Sequence, residues 1–561
     1  MKKPNLIYLF LIVFFLGSCS VKQQTATDQT EFENGAVVTA HPIASEVGVE
    51  ILKKGGNAVD AAIAVKFALA VVYPNAGNLG GGGFMVYRGK DGQVASLDFR
   101  EKAPAKASRD MYLDKDGNPI TDLSLYGQLA SGVPGSVAGM DEAYKKYGSL
   151  PWKNLVQPAI ELAEKGFPIT EQQAGEFNRY KARFQKFNPE GAAIIRDAEW
   201  KTGDNFIQAE LAETLKRIAE QGRDGFYKGK TAEFIVAEMK KGNGIMSLKD
   251  LEDYQAAWRD PIVGMYKNYK VISMPPPSSG GVALMALLQS VEKYPLAKWG
   301  FQHDSTVRAM VEAERRIYAD RATHLGDPDY YRVPVANLTD AKFNQERMAM
   351  VSLDKATPSD QVKAAKFPGY ESEETTHYSI VDKDGNAVSL TTTINGSYGS
   401  CVWVAGAGFL LNNEMDDFSV KPGSPNMYGL LGGKANSIEP GKRMLSAMTP
   451  TIIEEDGKLK MVVGTPGGST IITSVFQTIL NVLEFDMTAQ ESVSAARFHH
   501  QWKPDVIDVE AKAIDSTTRI SLEEDGFKIN KRGPIGRVEN IVILKNGKLQ
   551  TGADPRGDDK A

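Results

Sequence analysis

Glu374-Thr375-Thr376-His377-Tyr378-Ser379 opens the stretch that decides the fold, and it leads on to Asp416-Asp417-Phe418. From Thr376 to Val381, and again from Ala387 to Ile394, polar residues alternate with β-prone ones, and Asp382-Lys383-Asp384-Gly385-Asn386 lies between. This is a hairpin signal, because Asp-Gly supplies the positive φ that a tight turn between twisted strands requires. Thr375 therefore stands at the head of a strand. On its own, Thr375-Thr376 reads as an ordinary β-branched strand start. If the bond before it were cut, Thr375 would carry a free α-amine beside its own hydroxyl. Such an amine titrates at about 7.7 to 8.0, so near working pH it can accept the hydroxyl proton and act as a built-in base.

The second strand ends in Thr391-Thr392-Thr393-Ile394-Asn395-Gly396-Ser397, and the pleat can bring Thr393 back beside Thr375. Leu410-Leu411-Asn412-Asn413-Glu414-Met415-Asp416-Asp417-Phe418 follows. With these residues the chain resembles the γ-glutamyltranspeptidase family, N-terminal-nucleophile hydrolases that cut their own precursor just before the Thr of such a motif. Further stretches carry the resemblance in the family's order: Gly55 to Ala62, Gly80 to Phe84, Met274 to Gly281, Tyr318 to Arg321, Gly326 to Asp329, Thr465 to Ser469 and Ala496 to Trp502. It spans roughly residues 35 to 558.

The chain begins with Lys2-Lys3, an apolar run from Leu6 to Phe15, and Leu16-Gly17-Ser18-Cys19. The run is short for a membrane span and reads as an export signal, and Leu-Gly-Ser-Cys has the pattern of a bacterial lipoprotein signal with Cys19 acylated. The expected divisions are a signal peptide over 1–18, a polar tether over 19–34, a large subunit over 35–374 and a small, catalytic subunit over 375–561. The expected address is periplasmic or outer-membrane, with contact to the membrane through the lipid alone. A net charge of −5 without a basic cluster argues against nucleic acid as a partner. Of the two cysteines, Cys19 is taken by lipid, which leaves Cys401 and no disulfide framework.

In the long first part, Ser45–Lys54 and Asn57–Val72 read as helices split by Gly55-Gly56, with Asn57 as N-cap and Asp60 three residues on. Gly80–Gly83 leads into strands Phe84–Arg88 and Gln93–Phe99, with Arg100 at the end. No Lys-Ser/Thr pair follows these glycines, so close backbone packing explains them better than phosphate binding. Residues 205–321 read as mainly helical, with a stripe of Leu211, Leu215 and Ile218 ending at Gly222. Turns at Asp91-Gly92, Asp384-Gly385, Asp456-Gly457 and Asn546-Gly547 imply antiparallel sheets with helices outside them. The expected class is α+β, and the resemblance makes it the αββα sandwich of a self-cleaved heterodimer. The six histidines lack metal-ligand spacing, no cofactor is expected, and His499-His500 read as structural.

A γ-glutamyl donor presents a carboxylate, an ammonium and an amide, so its site needs a cation, an anion and an oxyanion hole. The resemblance gives these roles to Arg100 for the carboxylate, Asp417 for the ammonium with Glu414 and Asn395 in support, and Ser446 as a further donor contact. Gly467 and Gly468 stand before an apolar helix, where backbone N–H groups can meet a developing oxyanion. Thr393 orients the Thr375 hydroxyl, and Ser419–Arg443, with Tyr428, resembles the family's lid. The implied substrates are glutathione or a similar donor, with water, an amino acid or a peptide as acceptor. One departure stands out: where the family usually has two serines, this chain has Ser446-Ala447. That leaves open a self-cleaving amidase acting on another acyl group, such as a β-lactam side chain. A binding lipoprotein without catalysis would be expected to lack some of Thr375, Thr393, Gly467 or Gly468, and all four are present.

Overall fold

The computed structural model describes residues 31–365, 376–421, 426–427 and 434–561. Two antiparallel sheets are built from β1 (Glu31–Phe32), β2 (Gly35–Thr39), β3 (Gly82–Arg88), β4 (Val94–Asp98), β5 (Ala257–Arg259), β6 (Ile262–Tyr266), β7 (Tyr269–Ser273), β8 (Thr376–Asp382), β9 (Ala387–Thr393), β10 (Thr451–Glu455), β11 (Lys458–Gly464), β12 (Glu539–Ile543) and β13 (Leu549–Gly552). The six-stranded sheet runs β2-β8-β9-β3-β4-β5, and the seven-stranded sheet runs β1-β13-β12-β11-β10-β7-β6. Each of the four Gly-containing turns joins neighbouring strands, and each turn glycine has positive φ, from +75° to +84°.

Helices cover both outer faces. On the six-stranded sheet lie α1 (Pro42–Lys53) and α2 (Ala58–Val72); on the other lie α3 (Gly280–Val291), α4 (Asp304–His324) behind it, and α5 (Thr470–Leu483). Asn57 starts α2 as its sequence requires: Oδ1 accepts from the Val59 and Asp60 amides at 2.9 Å, and Asp60 reaches back to the Asn57 amide at 3.0 Å. Asp382, at the end of β8, accepts from the Ala58 amide and from two amides of its own turn, so it fixes helix start and hairpin together. One apolar core fills the space between α2 and the six-stranded sheet, and a second spans the inter-sheet space and the helices beyond. This is the αββα sandwich.

Two details differ from the sequence reading. Residues 205–321 are not only helical: β5, β6 and β7 fall inside them. The β6–β7 turn is Lys267-Asn268, with Lys267 at φ +53°, and it carries no glycine to mark it. The alternation in β8 also does not separate core from solvent, since every residue of the strand is buried. Its polar face, His377 and Ser379, lies against the second sheet. His377 Nδ1 is 2.9 Å from Thr391 Oγ1, its Nε2 is 3.0 Å from Ser379 Oγ, and Ser379 donates to the Glu539 carbonyl at 3.1 Å. Burial lowers the His377 pKa to about 3, so the ring is neutral.

Candidate active site

Thr376 pairs with Thr392 across the hairpin, and Thr393 pairs with Gly82 on the other side of β9. The glycine run packs against this end of the strand, since a Cβ on Gly81 would overlap the Thr393 carbonyl oxygen and one on Gly83 the Thr391 carbonyl oxygen. Close backbone approach is thus why glycine is needed here. The Thr393 hydroxyl accepts from the Asn395 amide at 2.7 Å. Asn395 has φ +65° and donates through its side chain to the Asn413 carbonyl at 3.0 Å.

Arg100 lies just past β4 and is fully buried. Its Nη1 is 2.6 Å from Glu414 Oε2 and 3.5 Å from Glu101 Oε2, and its Nη2 pairs with Asp417. Nε and Nη2 also donate to the carbonyls of Met444 and Leu445 at 3.3 and 3.2 Å. The expected cation and anions therefore meet, although 314 positions separate Arg100 from Glu414 in the chain. Burial alone would make Arg100 a weaker base, but Glu414, Asp417 and Glu101 outweigh it and raise its pKa. Burial raises the Glu101 and Glu414 pKa values, with Glu414 adding repulsion at Glu101. Three acids gather around one guanidinium, two of them biased toward the neutral form by burial, so the group offers both a cation and acidic acceptors to a ligand that brings an anion and a cation. Only one of the two consecutive aspartates joins it: Asp416 instead accepts from Ser124 at 2.6 Å.

Ser446 sits beside this group. Its amide donates to Pro277 O at 2.9 Å, its carbonyl accepts from Ser279 N and Oγ, and its own Oγ accepts from the Met448 amide at 3.2 Å. Ala447 next to it is fully buried. Gly467 and Gly468, at φ +139° and +61°, lie between β11 and α5, with Ser469 as the helix cap residue. Gly464, at the end of β11, packs on the His377 ring, which brings this loop to the hairpin end where β8 begins. Thr375, Tyr428 and Cys19 lie outside the described residues.

Several supports had no signal in the sequence beyond their motifs. Asn412 Oδ1 accepts from the Glu414 and Gly132 amides at 3.0 and 2.9 Å, and Asn436 joins the Asp417 carbonyl to the Leu445 amide. Glu101, next to Arg100 in sequence, shares its burial and its ion pair. His499 and His500 are buried, with His499 hydrogen-bonded to Thr473 and Gln501, and burial lowers both pKa values. Cys401 is buried, which pushes its thiol up to about 12 and keeps it protonated. Among the described residues no group of three or more His, Cys, Asp or Glu side chains is placed to hold a metal ion.

The structure is similar to the cephalosporin acylase of Bacillus halodurans, with a TM-score of 0.83 at 26% identity over 98% of this chain and 99% of that one. It is also similar to the γ-glutamyltranspeptidase of Helicobacter pylori, 44% identical with a TM-score of 0.57, over 58% of this chain and 95% of that one. The two scores differ partly because the second match spans less of the chain. Sandwich, hairpin and neighbours together define an N-terminal-nucleophile hydrolase. The family model described as gamma-glutamyltranspeptidase matches residues 44–561. Among curated proteins the chain is similar to the glutathione hydrolase proenzyme of Escherichia coli (strain K12), 46% identical over 94% of this chain and 91% of that protein. The chain belongs to the γ-glutamyltranspeptidase family.

Proposed function

We propose that the chain is a γ-glutamyltranspeptidase and glutathione hydrolase made as a precursor that cuts itself between Glu374 and Thr375. The observation that carries this reading is the buried Arg100 between Glu414 and Asp417, because a γ-glutamyl head group is itself a carboxylate and an ammonium on one carbon. On binding, the donor carboxylate takes over the guanidinium, aided by Ser446, and the ammonium takes Asp417 and Glu414, with Asn395 close by. Charge-assisted pairs in a buried site are strong and geometrically selective.

The Thr375 hydroxyl first attacks the Glu374 carbonyl; the C–N bond breaks, which frees the Thr375 amine and leaves Glu374 as an ester on the Thr375 oxygen. Water then hydrolyses that ester to release the Glu374 carboxylate and the Thr375 hydroxyl. The freed amine then accepts the hydroxyl proton as Thr375 attacks the γ-carbonyl of the donor, with Thr393 orienting the hydroxyl and the Gly467–Gly468 amides receiving the oxyanion. The leaving amine departs with a proton and a γ-glutamyl ester remains. Water releases glutamate from it, or an amino acid or peptide amine forms a new γ-glutamyl amide. Residues 419–443, with Tyr428, serve as the lid, and exclusion of water favours transfer. Cys19 carries the lipid that tethers the exported protein.

Ala447 favours a second reading, a self-cleaving acylase working on another acyl group, and the likeness to a cephalosporin acylase fits it. That reading gives no reason for the Arg100–Glu414–Asp417 group. The deciding experiment measures intact mass of the signal-less protein and its Thr375→Ala variant under denaturing conditions, then p-nitroaniline release from γ-glutamyl-p-nitroanilide. Two pieces meeting at 374/375 in the wild type alone, together with turnover of that donor, are expected. A wild type that stays uncut overturns the nucleophile. A cut protein that leaves the γ-glutamyl donor untouched but hydrolyses a β-lactam side chain moves the assignment to the acylase.

A further inference from the structure

The middle of α2 holds a residue that the mechanism above does not use. Lys66 is 0% exposed in a helix of which every residue is buried. An ammonium in such surroundings is costly unless acceptors hold it. Its Nζ donates to both acceptors of one residue, Asn78: the backbone oxygen at 2.7 Å and Oδ1 at 3.1 Å. The amide of the same Asn78 then donates to the Thr393 carbonyl at 2.8 Å, to the Ala76 carbonyl at 2.8 Å and to Thr392 Oγ1 at 3.3 Å. Ser136 completes the cage by donating to Asn78 Oδ1 at 2.7 Å. Gly81 packs on the same strand end, where a Cβ would overlap the Thr393 carbonyl oxygen and crowd Asn78 Oδ1. Burial lowers the Lys66 pKa to about 7, and Glu101 opposes that shift.

We infer that Lys66 is a positioning residue for the reaction: through Asn78 it locks the Thr393 end of β9, so that the Thr393 hydroxyl and Asn395 are held where the nucleophile and the donor meet. The inference rests on the role proposed for Thr393. The chain of contacts is short and directional. Lys66 Nζ, with Ser136, fixes the orientation of the Asn78 side-chain amide, since Oδ1 must face these donors and Nδ2 must therefore face Thr393. Without Lys66 only Ser136 holds Oδ1, and the amide that pins the strand-end carbonyl is less firmly oriented. A Lys confined to packing would not need both acceptors of the residue that also holds the site.

The test compares the self-cleaved wild type with Lys66→Met, which keeps the stem length and removes the charge, using γ-glutamyl-p-nitroanilide as donor. Misplacement of a reacting group by a change outside the site costs about tenfold to a hundredfold in rate. The expected result is a fall of that size in kcat, a donor KM within twofold of wild type, slower self-cleavage, and a melting temperature equal or higher, because replacing a buried charge with an apolar side chain of similar volume is often neutral or stabilising. A second variant, Asn78→Asp, keeps an acceptor for the ammonium and removes the donor to Thr393. The double variant should lose no more activity than the worse single one. Unchanged kcat in Lys66→Met, or a kcat loss matched by a lowered melting temperature, overturns the inference. Failure of the wild type itself to turn over the donor sinks the proposed function instead.

Discussion

Arg100 is where the charge balance of the molecule is decided. Its guanidinium is the cation shared by Glu101, Glu414 and Asp417, all without solvent contact. Removing one partner of a buried ion pair costs about 3 to 5 kcal/mol, because the remaining charge is left uncompensated. Arg100→Ala should therefore show two effects at once: a donor KM raised at least tenfold, and a lower melting temperature with Glu101 and Glu414 driven further toward their neutral forms. Steady-state kinetics and thermal unfolding of the cut protein check both. An unchanged KM would remove Arg100 from the donor site whatever happens to stability. The sequence named Arg100, Glu414 and Asp417 only through the family resemblance. Nothing local in either motif says that the two stretches touch, because a charge carries no address for its partner. Lys66 was less legible still: one lysine in a nearly all-apolar helix gives no hint of the asparagine twelve residues on that receives it.

At the scale of elements, what could be read was what is encoded locally. The capping box of α2 and the four turn glycines depend on neighbours within a few residues, and they formed where the sequence placed them. β6 and β7 were lost among helices because Lys267-Asn268 turns without glycine. The polar face of β8 misleads for another reason: alternation reports polarity, and solvent is only one way to satisfy it. Here His377 is satisfied within its own sheet by Thr391 and Ser379, and Ser379 by the Glu539 carbonyl of the second sheet. The glycine run is the element most exposed to test. In Gly81→Ala the new Cβ meets the Thr393 carbonyl oxygen and Asn78 Oδ1. Overpacking of this kind usually costs about 1 to 3 kcal/mol, and here the atoms that must yield belong to the site. Gly81→Ala should stay uncut far longer than wild type in an intact-mass time course, whereas Gly92→Ala, with nothing within 4 Å of its Cβ but φ +84°, should process normally with only a modest loss of stability.

For the whole molecule, the arrangement of strands around position 375 matters more than any one contact. In the six-stranded sheet β8 and β9, which follow that position, lie between β2 and β3, which precede it. In the seven-stranded sheet β10 to β13 are flanked by β1 on one side and by β7 and β6 on the other. A cut at 374/375 therefore leaves two chains that share both sheets. Before it, folding is a unimolecular event; afterwards, recovery from denaturant requires two partners to find each other. Diluted from denaturant at low micromolar concentration, uncut Thr375→Ala protein should regain its native spectrum, while the cut wild type should regain little and more at higher concentration. Equal recovery of both would show that each piece refolds independently.

The interleaving also gives maturation a direction. The precursor can reach its fold by search and correction, but the product holds a shape it can no longer readily find again. Its lifetime is then set by how slowly the sheets open rather than by how stable they are at equilibrium. An enzyme built this way is wound once, before its own chemistry cuts it, and thereafter runs on a barrier.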